Sequence, residues 1–243
     1  MTGRTDRRRL LEGAAATLVL AGCGGPAPSA PARVKAQDHH AFFLWPGVTA
    51  PSWLQTAREV YLLAGEVRRQ PDSHFTPLRA TPATVGPALW LVVRTERLDW
   101  QPAILAEILR ALAAWEAAGN RIRGLQIDFD AATRGLERYA EFLSGLRKSL
   151  PRRWALSITG LMDWSAGGTP QALQRLAGTV DEIVVQTYQG RSTIPGYEAY
   201  LQALQRLRMP YRIGLVQNGH WRPPAWLERD PWFRGYVVFL LNQ

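Results

Sequence analysis

The chain has 243 residues, 47% of them hydrophobic and 20% charged, enough for one domain with a sizeable core and too mixed for a disordered or fibrous protein. Lysine and arginine number 29 against 20 acidic residues, with lysine only at Lys35 and Lys148. An arginine surplus scattered in this way reads as a solvated surface, so no nucleic-acid partner is expected. The single cysteine, Cys23, excludes an internal disulfide framework and any Cys-x-x-Cys metal site.

The first 22 residues read as a signal peptide: Arg4, Arg7, Arg8 and Arg9 make a basic start, and Gly13 to Leu20 is a short apolar run ending in Leu20-Ala21-Gly22-Cys23. The Arg7-Arg8 pair suits twin-arginine export and Sec export equally. The tetrapeptide resembles a bacterial lipobox, which implies cleavage before Cys23, lipidation of Cys23, and anchoring in the cell envelope with the protein facing the periplasm or the surface. Gly24 to Lys35, GGPAPSAPARVK, has no apolar periodicity and reads as a tether, so residues 23–37 are expected to be lipidated cysteine and linker and residues 38–243 the folded domain. Without the four arginines, Asp6 and Glu12 of the signal, 25 basic and 18 acidic residues remain. No later apolar run reaches the ~18 residues of a spanning helix.

From there two kinds of segment alternate. Strand-like runs rich in Val, Ile, Leu and aromatics occur at 41–48, 60–67, 88–95, 124–130, 155–161, 182–188, 211–217 and 235–241. Between several of them lie helical spacings: 102–118 with Ile104, Leu105, Ile108, Leu109, Leu112 and Trp115 on one face, 134–150 ended by Pro151, a third opening at Thr169-Pro170, and 198–208. This is the pattern of a compact α/β fold, a (β/α)8 TIM-type barrel; a doubly wound open sheet competes, but seldom needs eight strands and usually carries a glycine-rich first turn, where this chain has Trp45-Pro46-Gly47-Val48. Pro71, Pro77, Pro82 and Pro87 make the second helix degenerate, and no helix is expected after strand eight. With about 205 residues after the tether, against ~250 in a typical barrel of this type, the loops must be short and the mouth shallow.

Active sites of such barrels lie at the C-terminal ends of the strands. The fourth reads Gly124-Leu125-Gln126-Ile127-Asp128-Phe129-Asp130. Alternation puts Leu125, Ile127 and Phe129 toward the helices and Gln126, Asp128 and Asp130 into the barrel, with Asp130 at the rim. Carboxylates about 7 Å apart at their Cα atoms perturb each other's ionisation, which keeps a proton available for general acid work; capping of loops or pairing with arginines is the plain alternative.

The segment Arg123 to Asp130 resembles the fourth-strand motif D-G-x-D-x-D-x-E of chitinase-like glycoside hydrolases. By position Asp130 then stands for the acid and Asp128 for the assisting aspartate, while Gln126 and Arg123 replace two further aspartates. Gln186-Thr187-Tyr188-Gln189 resembles the family's M-x-Y-D, implying that Tyr188 holds a substrate acetamido group, with Gln189 in place of an aspartate. Ile213 to Gly219 is similar to its seventh strand. These segments, with Leu156 to Gly160 and Trp164, resemble still more an uncharacterised bacterial family of glycosidase-like barrels. The resemblance implies catalytic roles for Asp130, Asp128 and Tyr188, and substrate contacts for Gln126, Ser157, Gln186, Gln189 and Asn218. Asp130 is one methylene shorter than glutamate, and the eighth strand lacks the tryptophan that floors the family's sugar pocket. Glycan hydrolysis, silent glycan binding and a scaffold role therefore stay open, with a glycan or envelope polysaccharide as the partner and no cofactor.

Trp45, Trp164 and Trp221 each follow a strand and are candidates to stack on sugar rings. Asp38, His39 and His40 precede strand one, at the wrong end for a catalytic metal, and no metal site is expected. His220 follows strand seven and is a further candidate, more often a hydrogen-bonded loop residue. No nucleophilic-serine elbow, Walker sequence or dinucleotide fingerprint occurs. Oligomeric state is not legible.

Overall fold

The structure, a computed structural model, describes residues 30–242 except 71, 84–85, 131–134, 161–168 and 205–207. Eight parallel strands close into a barrel: β1 (Ala41–Leu44), β2 (Glu59–Val67), β3 (Ala88–Thr95), β4 (Ile122–Asp128), β5 (Ala155–Gly160), β6 (Glu182–Gln186), β7 (Tyr211–Val216) and β8 (Phe233–Phe239). Each pairs with the next, and Val238 and Phe239 of β8 lie against Phe42 and Phe43 of β1 to complete the ring. The TIM-type barrel expected from the alternation is thus the fold observed. Its first strand ends at Leu44, and β4 and β8 run two residues earlier than the sequence suggests.

Among the described residues four α-helices pack outside: α1 (Pro102–Ala117), α2 (Leu136–Ser149), α3 (Pro170–Ala177) and α4 (Tyr197–Leu204). α1 opens on Pro102, and Gly119 beyond its end takes a φ of +86°. At α3 the Thr169 hydroxyl accepts the Ala172 N–H at 3.3 Å, a capping bond that satisfies one of the free first-turn donors. Leu125, Ile127, Leu156, Ile158, Ile213 and Leu215 join Ile108 and Leu112 of α1 and Tyr139 and Leu143 of α2 in one outer core. The opposite faces of the strands put Phe43, Tyr61, Leu63, Trp90, Val92, Val184 and Val237 into a smaller cluster inside the ring. At Gly124 the fourth and fifth strands come so close that a Cβ would sit 2.0 Å from the Ala155 carbonyl oxygen.

The floor of the barrel is ionic. Arg212 of β7 reaches Glu59 of β2 with Nη2 at 2.6 Å and Glu182 of β6 with Nε at 3.0 Å. Trp90 Nε1–H donates to the other oxygen of Glu59 at 2.7 Å, and the Tyr61 hydroxyl donates to the other oxygen of Glu182, joined there by Ser157 Oγ at 3.4 Å. All four carboxylate oxygens therefore have donors.

Between β2 and β3 no helix forms among the described residues; Thr76–Pro77 instead pairs antiparallel with Glu66 and Gly65. Among the described residues no helix follows β8, and an amino-terminal strap packs beside that strand. Ala32–Arg33 pairs antiparallel with Trp221 and His220, Val34 N–H donates to the Gly219 carbonyl at 2.8 Å, and the His39 ring meets Tyr236 edge-on at 5.4 Å. The packed body starts near Ala32 and not Asp38: in Arg33-Val34-Lys35-Ala36 the alternate residues Val34 and Ala36 are buried, a short strand-like pattern hidden in the Pro/Ala-rich tract. Cys23, the signal and the rest of the tether lie outside the described residues.

Arg212→Met should cost about 3 kcal/mol in urea unfolding, because it leaves two carboxylates in the barrel without their cation. A loss below about 1 kcal/mol would show that the floor does not depend on the ion cluster.

Candidate functional site

Asp128 is the last residue of β4 and points into the barrel above that floor. It is 9% exposed, and its Oδ1 accepts the Thr159 hydroxyl from β5 at 2.8 Å. Burial pushes its carboxyl up; the Thr159 bond and the Arg94 charge pull the other way, and the neighbouring Asp130 adds to the rise. Asp130 lies two residues past the strand, with its side chain 69% exposed and 3.8 Å from Arg94 Nη2. The same guanidinium lies over the Trp45 ring, 5.2 Å from its centroid. Trp45, Arg94 and Asp130 therefore form a row along the rim.

Tyr188 faces Asp128 from the end of β6. Its backbone is held by the short hairpin in which Tyr188–Gln189 pairs with Thr193 and Ser192. Burial pushes the Tyr188 hydroxyl well up, the charge of Asp128 adds to this, and a hydrogen bond from Gln186 opposes it. The phenol thus stays a proton-bearing donor beside the carboxyl. Its ring packs on Phe239 of β8 at 5.5 Å, and Phe239 meets Trp45 at 5.5 Å. Phe239 thus sits between these two aromatics.

Several expected positions are brought together here: Asp128, Asp130, Gln186, Tyr188 and Trp45. Gln126 lies beneath them, wholly buried, with Nε2 donating to Ser157 Oγ at 2.9 Å and Oε1 without a protein partner. Ser157 belongs to the floor, fully buried between Gln126 and Glu182, where no substrate reaches it. Asn218 takes a φ of +65° in the turn after β7, and its N–H donates to Val34, so its residue type is explained by the turn that receives the strap. Gln189 is exposed on the hairpin. Trp221 does not line the mouth: it is 8% exposed on the outer side of the barrel, stacked on Tyr197 at 4.6 Å and edge-on to Tyr236. Its neighbour His220 is exposed and pairs with Arg33. Trp164 lies outside the described residues. His39 is occupied by Tyr236, and among the described residues no group of three or more His, Cys, Asp or Glu could hold a metal ion.

Arg94, Thr159 and Phe239 were not singled out from the sequence as site residues. For Arg94 the signal was available: Trp90, Val92 and Arg94 share one parity, and a strand with two apolar inward residues ends on an inward cation, aligned with Asp128. A cavity of about 370 Å³ opens over this edge, lined by Arg69, Arg94, Glu96, Asp128, Phe129 and Asp130.

Because burial raises Asp128 in the folded chain above its unfolded value, its favourable contribution is complete below the unfolded pKa and is lost as pH rises through the folded one. Asp128→Asn should therefore raise the Tm at pH 7 by a few degrees and leave it nearly unchanged near pH 3, in paired thermal melts. An equal shift at both pH values would remove the linkage.

Residues 89–208 match the model of a domain of unknown function, DUF3142. No curated protein matches the chain. Among solved structures, the class V chitinase from Nicotiana tobaccum is similar at 13% identity and a TM-score of 0.53, over 76% of this chain and 67% of that one. A xylanase and amylase inhibitor protein, XAIP-III, is similar at 12% identity and a TM-score of 0.52, over 83% of this chain and 93% of that one. The spore cortex-lytic enzyme SleL of Bacillus cereus aligns at 17% identity and a TM-score of 0.47 over 73% of this chain, which spans half the length of that enzyme. At these identities the likeness is one of fold: the chain has the TIM-barrel fold that these proteins share.

Proposed function

We propose that the barrel acts on an N-acetylated glycan at its C-terminal mouth, as a glycoside hydrolase that uses the substrate's own acetamido group. The observation that carries this reading is the pair Asp128 and Asp130 at the end of β4, one buried and one exposed, facing a protonated Tyr188. Asp130 gives its proton to the glycosidic oxygen as the bond from that oxygen to the anomeric carbon breaks, and the acetamido carbonyl oxygen attacks the same carbon to form an oxazolinium ring. Asp128 in its charged form stabilises the positive ring, and Tyr188 hydrogen-bonds the acetamido oxygen before attack. Water then opens the ring at the anomeric carbon and returns a proton to Asp130.

The same geometry also supports a second reading, glycan binding without turnover. Asp130 is a methylene short of a glutamate, and a carboxyl set back by about 1 Å can cost ~100-fold in rate; Arg94 already stands 3.8 Å from it. The fold similarity to an inhibitor protein is in keeping with a barrel of this kind that binds and does not cleave.

Product release followed by mass spectrometry on peptidoglycan fragments and acetylated oligosaccharides separates the two. Under hydrolysis, Asp130→Asn should cut turnover at least 100-fold while sparing affinity, and Asp130→Glu should raise it, because only the transferable proton and its reach change. Equal turnover by wild type and Asp130→Asn would place the acid elsewhere; no turnover on any substrate with retained binding would favour the silent reading.

We further infer from Leu20-Ala21-Gly22-Cys23 that the protein is exported and held in the cell envelope by lipid on Cys23. Metabolic labelling with palmitate should mark the wild type and not Cys23→Ser; an unlabelled wild type would sink the anchor.

A further inference from the structure

The cavity beside Asp128 and Asp130 does not end at the catalytic edge. A second cavity, of about 480 Å³, adjoins it and shares Arg69, Glu96 and Phe129 with the first, then runs on to Arg97, Asp99 and Arg138. Together they form a trough from the end of β4 across the loop after β3 to the start of α2. Phe129 lines both parts, its half-buried ring packed on Tyr139 at 5.1 Å.

Four guanidinium groups, Arg69, Arg94, Arg97 and Arg138, and four carboxyl groups, Glu96, Asp99, Asp128 and Asp130, line the trough, equal in number but unequally engaged. Arg97 grips Asp99 with two nitrogens, at 2.8 and 2.6 Å, and holds it down to about 2, so that pair neutralises itself. The Glu96 carboxylate is used by the Arg69 backbone N–H at 2.9 Å, whereas the Arg69 guanidinium donates to the Glu96 carbonyl, a neutral acceptor, at 3.1 Å. Arg94 is 42% exposed and only loosely engaged with Asp130. Arg138 is exposed in the first turn of α2, where the partial positive charge of the helix start opposes a cation, and its charge adds to that of Arg97 in lowering Asp99. Three guanidinium groups, Arg69, Arg94 and Arg138, thus border one trough with no hydrogen bond to a carboxylate among the described residues, Arg69 reaching only a carbonyl and Arg94 standing 3.8 Å from Asp130. Guanidinium is the group suited to forked binding of a carboxylate.

Resting on the reading of the mouth as a glycan site, we propose that the glycan is anionic: sugar units bearing carboxylates lie along the Arg69 to Arg138 trough while the acetylated unit sits at Asp128 and Tyr188. The site then selects an alternating acetylated and acidic chain over a neutral acetylated one.

The test is titration of the Asp130→Asn protein, in which cleavage is suppressed, with three oligosaccharides of equal length: neutral N-acetylglucosamine oligomers, alternating N-acetylhexosamine and uronic acid, and deacetylated cationic oligomers. The acidic oligomer should bind about tenfold more tightly than the neutral one at low salt, the cationic one most weakly. The preference should fade toward 1 M salt, where the screening length drops to about 3 Å. Arg138→Glu should bring the ratio of acidic to neutral affinity close to one, and Arg69→Ala should lower it if that loop remains folded; Arg110→Ala, on the exposed side of α1, should not change it. Equal affinity for acidic and neutral oligomers, or an acidic preference that survives Arg138→Glu, overturns the proposal. The hydrolytic reading fails separately: wild-type protein that prefers acidic oligomers through Arg138 yet releases no product keeps the trough and loses the catalysis, whereas cleavage of neutral oligomers without acidic preference keeps the catalysis and loses the trough.

Discussion

One guanidinium joins strands on opposite sides of the ring. Arg212 holds Glu182 from the neighbouring strand and Glu59 from across the barrel, 153 residues away in sequence. A closed barrel leaves its interior to be filled from its own inward side chains, and here the lower part is filled by charge. Such a filling is stable only if each desolvated oxygen is satisfied. Trp90, Tyr61 and Ser157 meet that demand and are thereby committed to the floor. The upper part is left to aromatic rings and to the carboxyl at the end of β4, and the contrast between floor and mouth follows from that division.

The aromatic filling is continuous. Trp90 stacks on Tyr61 at 5.4 Å, Tyr61 meets Phe43 at 4.8 Å, Phe43 lies 6.5 Å from Phe239, and Phe239 touches both Trp45 and Tyr188. The rings at the mouth are therefore the top of a column that rests on the ion cluster. Against this packed background, Asp128 and Asp130 are the same functional group in two environments, one beneath the rim and hydrogen-bonded, the other in solvent. Burial favours the neutral form of Asp128, and Asp130 beside it adds to that preference.

Much of this was legible in the sequence because strand parity is a strong constraint. Alternation in Gly124 to Asp130 placed Leu125 and Ile127 in the outer core and Gln126 and Asp128 inside, as found. Proline spacing marked the second helix as degenerate, and among the described residues none forms there. Parity does not say how deep an inward residue sits, and that is why Ser157 was assigned to substrate while the structure seats it in the floor: depth depends on the stagger between strands, which pairs Ser157 with Glu182 at the first residue of β6. Trp221 failed for another reason. A tryptophan after a strand end reads as a mouth residue, but the turn at Asn218 sends the chain outward to the strap, and the indole is buried there. Contacts set by a residue nearly the whole chain away leave no local pattern.

The strap has a further meaning for how the molecule comes together. Ala32 and Val34 are made before any strand of the barrel, yet their partners are Trp221 and Gly219, next to the last strand. Val34 and Ala36 thus have no surface to bury until β7 and the turn after it exist, and Tyr236 of β8 gains its His39 contact only when the strap arrives. Local helices can form early, but a pairing of this sequence separation carries the full entropy of loop closure and belongs to the slow end of folding. The first residues of the body and its final strand are consequently locked in the same closing event, so a chain interrupted anywhere before β7 leaves both ends of the barrel unsealed.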